Sequence, residues 1–371
     1  MADINLQRKI KLGFKYPLTA KNTILDKFLY KNKATPFPRL INCFITERCN
    51  FNCPMCHVKD SRLQKLSELS FPELKPFFKD IARFSPTISL AGGEPLMHPE
   101  IIKIIKYLDQ KKIVKALVTN GMLLEKMANK LIDSGLDYLA VSLDGPNEPT
   151  QYQRGLVKNS FPQIIKGIKK IIKLRGNNSL PHIRIATVIS KANINNFDKI
   201  YDIINKLGVD QWSVSHHFYF YDQIKKQQSN FSKKTGFGND VWGEYNGKKK
   251  IFFNPKERKI ISQKLKHIQT LVKTSKIKID LPTTMNIEKF YTGAIPNKKS
   301  ICTSPFNQVF LRGNGDIEMC HGYILGNIKN NSLLDIWNNQ KTKKFQKYIS
   351  KYKLIPACFR CCSLNPVFDQ L

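Results

Sequence analysis

The sequence predicts an α/β protein: a partial parallel (β/α)6 barrel followed by a small C-terminal domain. Three observations predict it. From Leu40 to His217, short apolar runs alternate with longer amphipathic stretches, and no hairpin signal separates them. The alternation breaks after Phe220. The cysteines fall into two sets near the ends of the chain, with none between Cys56 and Cys302.

Residues 1–38 form a basic arm carrying scattered Leu12, Phe14, Leu18, Ile24, Phe28 and Leu29, and Pro36 and Pro38 close it. Strands are expected at 40–46, 87–91, 114–119, 138–143, 183–189 and 211–217. Helical patterns lie between them at 71–84, 100–108, 124–134, 161–174 and 196–207. Successive β-then-α units give a parallel sheet with helices outside, and right-handed crossovers curl it into a complete or partial barrel. This barrel domain spans 39–220. Residues 221–300 are a Lys- and aromatic-rich insert that includes Phe231, Phe237, Trp242, Tyr245, Phe252 and Phe253. A connecting helix near 256–275 and a short strand at 277–281 follow, and 301–371 form the last domain.

With 371 residues, 42% of them hydrophobic, the chain can bury one large core and a smaller module. The basic start does not read as a secretory signal. No apolar run approaches the roughly 18–20 residues that span a bilayer, so a cytoplasmic protein is expected. Lys and Arg total 61 against 28 acidic residues, a net charge of +33. Such a field attracts nucleic acid, phosphorylated metabolites or an anionic membrane surface, and an AT-rich genome would give the same composition. No RNA-binding module is recognisable, which ranks a small anionic metabolite first among partners.

A secreted disulfide scaffold would spread its cysteines more evenly; tight spacings point to metal. Cys49, Cys53 and Cys56 follow the first strand as C-x3-C-x2-C. This segment resembles the signature of the radical S-adenosylmethionine (SAM) superfamily. The resemblance implies that three thiolates hold a [4Fe–4S] cluster and leave one iron open for the amino and carboxylate groups of SAM. An electron passed through the cluster then frees a 5′-deoxyadenosyl radical. A zinc knuckle is the alternative, and it would need a fourth ligand nearer than His57 offers.

Further segments extend the resemblance over about residues 40–217. Gly92-Gly93-Glu94-Pro95 is similar to the motif that binds the SAM amino group, its glycines letting the backbone approach a ligand. Asn120 and Ser142, at later strand ends, are implied polar contacts to SAM. Arg154 is implied to pair with the SAM carboxylate, and Met55 to pack near the adenine. All lie at carboxyl ends of strands, where parallel barrels build active sites.

Cys302, Cys320, Cys358 and Cys361 give C-x17-C and then C-x2-C, with Gly315 five residues before Cys320. This pattern resembles the twitch domain, a shortened SPASM domain, and implies one auxiliary [4Fe–4S] cluster with every iron closed by a thiolate. A structural zinc site is the alternative. Cys362 departs from the pattern as an alternative ligand, a bystander or a hydrogen donor. Cys43, inside the first strand, reads as an inert core residue.

The substrate is less legible. His216 and His217 end the sixth strand as candidate proton donors or acceptors, only one of which can point inward. The segment before the barrel is shorter than the leader-binding domain of peptide-modifying relatives, which disfavours a leader-dependent peptide. The insert could cover a sugar, a nucleotide or a phosphorylated substrate, or with the arm could rest on anionic lipid. The expected reaction is a two-electron oxidation of a small anionic or sugar-like substrate, with an external donor such as flavodoxin or ferredoxin supplying the electron that cleaves SAM. The alternatives are epimerisation or bond formation on a peptide, nucleic-acid or lipid-linked substrate.

Overall fold

The computed structural model describes residues 2–30, 33–56, 67–217, 222–238, 253–282, 287–292, 302–320 and 322–361. Two N-terminal helices, α1 (Ala2–Lys15) and α2 (Pro17–Leu29), precede the sheet. Strands β1 (Leu40–Thr46), β2 (Thr87–Gly92), β3 (Val114–Thr119), β4 (Tyr138–Ser142), β5 (His182–Val188) and β6 (Gln211–Ser215) follow at the predicted places. They pair in parallel in that order. The crossovers carry α3 (Phe71–Ile81), α4 (Ile101–Gln110), α5 (Leu124–Ile132), α6 (Glu148–Gly155), α7 (Ser160–Arg175) and α8 (Phe197–Leu207). Helix α3 starts sharply because Ser70 and Glu73 form a capping box, the Ser70 N–H donating to Glu73 Oε2 at 2.9 Å.

Strand register sorts the sheet residues into two classes. On one face Ile41 pairs with Ile88, Cys43 with Leu90, Leu117 with Leu139, Ile185 with Trp212 and Trp212 with Ile279. These side chains are buried in one core with Ile104, Leu108, Ile164, Ile168 and Ile200 of the helices. Each large apolar side chain so buried contributes roughly 1.5–3 kcal/mol. On the other face Asn42 pairs with Ser89, Ala140 with Arg184, Arg184 with Gln211, and Ser213 with Asp280. The period-2 alternation therefore puts the apolar set under the helices and a mixed set, polar residues together with Phe44 and Phe310, on the opposite, inner face.

Both edges of this sheet are extended by residues outside the predicted barrel. Strand β7 (Lys278–Asp280), from the insert, pairs in parallel with β6. Strand β8 (Gln308–Leu311), from the C-terminal domain, pairs in parallel with β1, and β9 (Asp316–Met319) and β10 (Tyr323–Asn327) continue it antiparallel. The result is one 10-stranded sheet running β10-β9-β8-β1-β2-β3-β4-β5-β6-β7. The α/β fold class and the parallel six-strand core stand as predicted. The sequence did not reveal that the last domain would cover the free edge of β1, because a four-residue strand leaves little periodicity to read.

The basic arm is helical and docked at the amino ends of the strands. The Tyr16 hydroxyl donates to Asp137 Oδ2 at 2.7 Å, just ahead of β4. Lys115, fully buried at the start of β3, pairs with Asp137 at 2.9 Å and Asp109 at 2.6 Å. Arg8 bonds His182, Asn22 donates to the Phe84 carbonyl at 3.1 Å, and Arg39 pairs with Asp26 at 2.7 Å. These contacts are polar, so they leave no apolar periodicity in the sequence. Among the described residues no helix is long and apolar enough to cross a membrane.

Candidate active site

The chain leaving β1 turns into the first cysteine loop, which is packed from three sides. Its Asn52 N–H donates to the Gly155 carbonyl at 2.9 Å, tying the loop to the end of α6. A Cβ on Gly155 would lie 2.4 Å from the Phe51 ring, so only glycine lets α6 come this close. Added Cβ atoms would meet the Thr46 carbonyl at 2.3 Å from Gly92 and the Arg48 carbonyl at 2.1 Å from Gly93. Gly92 also has φ of +129°. The glycines of the Gly-Gly-Glu segment thus let two loops touch each other, a role on the chain itself that the sequence reading assigned to ligand approach.

Glu94 and Asn120 lock these loops together. The buried Glu94 carboxylate accepts from Thr119 Oγ1 at 2.7 Å, Asn120 N at 2.7 Å and Leu96 N at 3.1 Å. Burial nevertheless pushes its pKa up to about 7, against the opposing pull of those donors. The Asn120 amide donates to Asn50 Oδ1 at 2.7 Å and lies 4.0 Å from Cys49 Sγ. Asn120 is therefore joined to the cysteine loop itself. Ser142, half-buried, ends β4 on the polar face opposite Ala186.

Arg154, on α6, forms an ion pair with Asp144 at the end of β4. Burial lowers its pKa and Asp144, Cys53 and Cys56 raise it, and the balance lies above the ordinary value. Its Nε is buried without a hydrogen-bond partner among the described residues. Asp144 is the hub that sequence reasoning missed. Its Oδ1 accepts from Val188 N at 2.8 Å, and its carbonyl accepts from Asn193 Nδ2 at 3.0 Å. Its own N–H donates at 2.9 Å to Gln151, which is wholly buried. The available signal was an acid in a strand-end turn ten residues before an arginine.

The two histidines diverge. His216 stacks on Phe290 at 4.1 Å and bonds the Tyr291 hydroxyl through Nδ1 at 3.0 Å. His217 is buried and bonded to the backbone of Met55 in the cysteine loop. Burial depresses its pKa to about 4, so it is neutral at pH 7.

In the first set, burial pushes Cys53 up to about 11, with Arg154 opposing and Cys56 and Cys49 reinforcing. In the second set, burial and then neighbouring thiols raise Cys320 and Cys358 well above the ordinary range; Cys302 and Cys361 act on both. The structure thus gathers Cys302, Cys320, Cys358 and Cys361 from distant points of the chain. Gly315, with φ of +95°, turns β8 into β9 and delivers Cys320 to the strand's end. Cys43 is fully buried, with its pKa raised by burial. Cys362 lies outside the described residues, as do Trp242, Tyr245 and Phe252 of the insert.

Crowded thiols in apolar surroundings keep their protons unless a cationic centre replaces them, which is what a metal site looks like before metal enters. Two all-thiol donor sets, one of three cysteines and one of four, fit iron–sulfur clusters. The three-thiol set adjoins the polar Glu94, Asn120 and Arg154, which suits a ligand with amino and carboxylate groups.

Comparison with known proteins finds two matching regions. Residues 43–217 match the radical SAM superfamily, and residues 302–362 match an iron–sulfur cluster-binding domain, SPASM. The AdoMet-dependent heme synthase of Methanosarcina barkeri is 31% identical over 188 residues, 50% of this chain and 51% of that protein. A probable GTP 3′,8-cyclase of Methanococcus maripaludis is 35% identical over 167 residues, 44% of this chain and 54% of that one. The chain thus spans about half the length of these curated relatives. Among solved structures, Streptococcus suis SuiB bound to S-adenosylmethionine superposes with a TM-score of 0.61 at 15% identity, covering 93% of this chain and 75% of that one. Native anSMEcpe with bound AdoMet gives 0.61 at 16% identity, covering 88% of each chain. Both likenesses show the fold.

Proposed function

We propose that this chain, which carries a radical SAM domain and a C-terminal SPASM iron–sulfur domain, performs a two-electron oxidation of a small polar substrate, anionic or sugar-like. The observation that carries the reading is the gathered set Cys302, Cys320, Cys358 and Cys361. Four thiolates close every iron of a cubane, so that group exchanges electrons and offers no site to a substrate.

When bound, SAM and the clusters supply a hydrogen-abstracting radical and an acceptor for the second electron, with an external one-electron donor starting the cycle. The chain's own residues do the positioning. Cys49, Cys53 and Cys56 would hold three irons of the cluster and leave the fourth for SAM. Glu94, Asn120, Ser142 and Arg154 surround that position with polar groups, and Met55 lies beside them in the loop. Oxidation of an alcohol carbon also releases a proton, and His217, bonded to Met55 of the cysteine loop, is a neutral acceptor there that burial makes weakly basic. His216, engaged by Tyr291, serves as packing in this reading.

The inner face of the sheet supports a polar substrate. Asn42, Ser89, Ser142 and Ser213 share it with the cations Arg184 and Lys278 and the acid Asp280.

The test is isotopic, made on the reconstituted enzyme with candidate sugars and phosphorylated metabolites. Oxidation lowers product mass by two hydrogens, and the product carries no solvent deuterium at the reacting carbon. A product of unchanged mass that has gained one deuterium in D2O would establish epimerisation instead.

A further inference from the structure

The N-terminal helices are amphipathic the wrong way round for a soluble protein. On α2 the polar residues face the protein: Thr19 bonds Ser85, Asn22 bonds Phe84 and Asp26 pairs with Arg39. The apolar residues face outward. Phe14 is 84% exposed and Phe28 80%, with Ile10, Leu18, Ile24 and Leu29 also exposed. On α2, Ile24 and Phe28, four residues apart, lie on the outward face with Lys21, and Leu18, Leu25 and Leu29, which share a stripe with Asn22, border it. A contiguous outward stripe of this kind marks a surface that something covers.

We infer that this stripe is a peripheral anchor for an anionic bilayer. Charge selects the occupant. Lys9, Lys11 and Lys21 are exposed on the same two helices, and the acid Asp26 is neutralised by Arg39. Phe and Leu on one side with lysines around them is the composition of an interfacial helix. Anionic headgroups attract each added lysine. A second copy of the chain would instead set one +33 charge against another. The helices dock at the amino ends of β3, β4 and β5 through Lys115, Asp137 and His182. The cysteine loop leaves the opposite, carboxyl end of β1, so an anchored molecule turns that end towards water. The bilayer then acts as a place of attachment, and a lipid-embedded substrate is out of reach. This inference does not depend on which reaction the site performs.

The test uses the full-length chain with clusters reconstituted, sedimented with vesicles of phosphatidylcholine alone and of phosphatidylcholine mixed with phosphatidylglycerol. Binding is expected only to the anionic vesicles, and it should weaken as salt rises. Phe14→Ser with Phe28→Ser should reduce that binding roughly tenfold or more, with 5′-deoxyadenosine release unchanged. Lys9→Glu with Lys21→Glu should reduce it as well. Equal binding to both vesicle types, or binding to neither, overturns the inference. So does self-association of the wild type that the double serine variant abolishes, which would give the stripe to a second copy.

Discussion

Arg154 and Asp144 form an ion pair beside the first cysteine loop, with Nη1 of the guanidinium on Oδ2 of the carboxylate. The pair joins the end of β4 to α6 and presents a nearly buried cation towards Cys53 and Cys56. A planar fork held on one side by a carboxylate keeps other N–H groups for a second anion.

Replacing that fork with a point charge separates binding from folding. Arg154→Lys keeps the charge and can still pair with Asp144, but it cannot bond two anions in fixed geometry. SAM affinity should fall by roughly tenfold, the worth of one charge-assisted hydrogen bond, while iron and sulfide content stay at wild-type level. Equilibrium binding on the reconstituted protein measures this. Wild-type affinity in the variant would remove Arg154 from the SAM site.

The two cysteine sets should be separable by mutation. Cys53→Ala should lose one cluster's iron and labile sulfide, and with it the release of 5′-deoxyadenosine under strong reductant. Cys361→Ala should lose the other cluster and retain SAM binding, because the first loop is held by α6 through Asn52 and by the end of β3 through Asn50 and Asn120. Iron and sulfide analysis decides between these outcomes. Wild-type protein holding zinc and no labile sulfide would sink the cluster assignment for both sets.

The sequence made the six parallel strands legible, because their apolar face must alternate with a polar one wherever helices cover one side. Both cysteine sets were legible from spacing. Three features were not. The helices of the arm dock through Tyr16, Lys115 and Asp137, a buried polar cluster that produces no apolar periodicity. Asp144 and Gln151 act through hydrogen bonds to backbone N–H groups, and only the spacing of Asp144 ahead of Arg154 marks them in the sequence. The joining of β8 to β1 is a contact between residues far apart in the chain, and local propensity carries no information about it. The two adjacent histidines were a different case. Both are buried, because the ladder ends at Ser215 and the alternation no longer binds them; they turn to different neighbours, Tyr291 and Met55.

Glu94 should leave a signature in the pH dependence of stability. Burial raises its carboxyl from 4.5 to about 7, although Thr119, Asn120 and Leu96 all donate to it. Between those values the folded protein keeps a proton that the unfolded chain has released. Stability from this group is therefore fully present below pH 4.5 and is lost as pH rises to about 7. The whole window is worth about 3 kcal/mol. The buried His182 and His217, both depressed to about 4, oppose this slope, because their unfolded forms take up protons at higher pH. The difference between wild type and Glu94→Gln isolates the carboxyl. An amide does not titrate, and it sets an NH2 group against backbone donors, so the variant should start about 1–3 kcal/mol less stable at low pH. The gap should then narrow steadily as pH rises from 5 to 7, because only the wild type loses stability through this group. Anaerobic urea unfolding of the cluster-free chain at several pH values measures the gap. A constant gap across that range would mean that Glu94 is already ionised in the folded protein and that its three donors outweigh its burial.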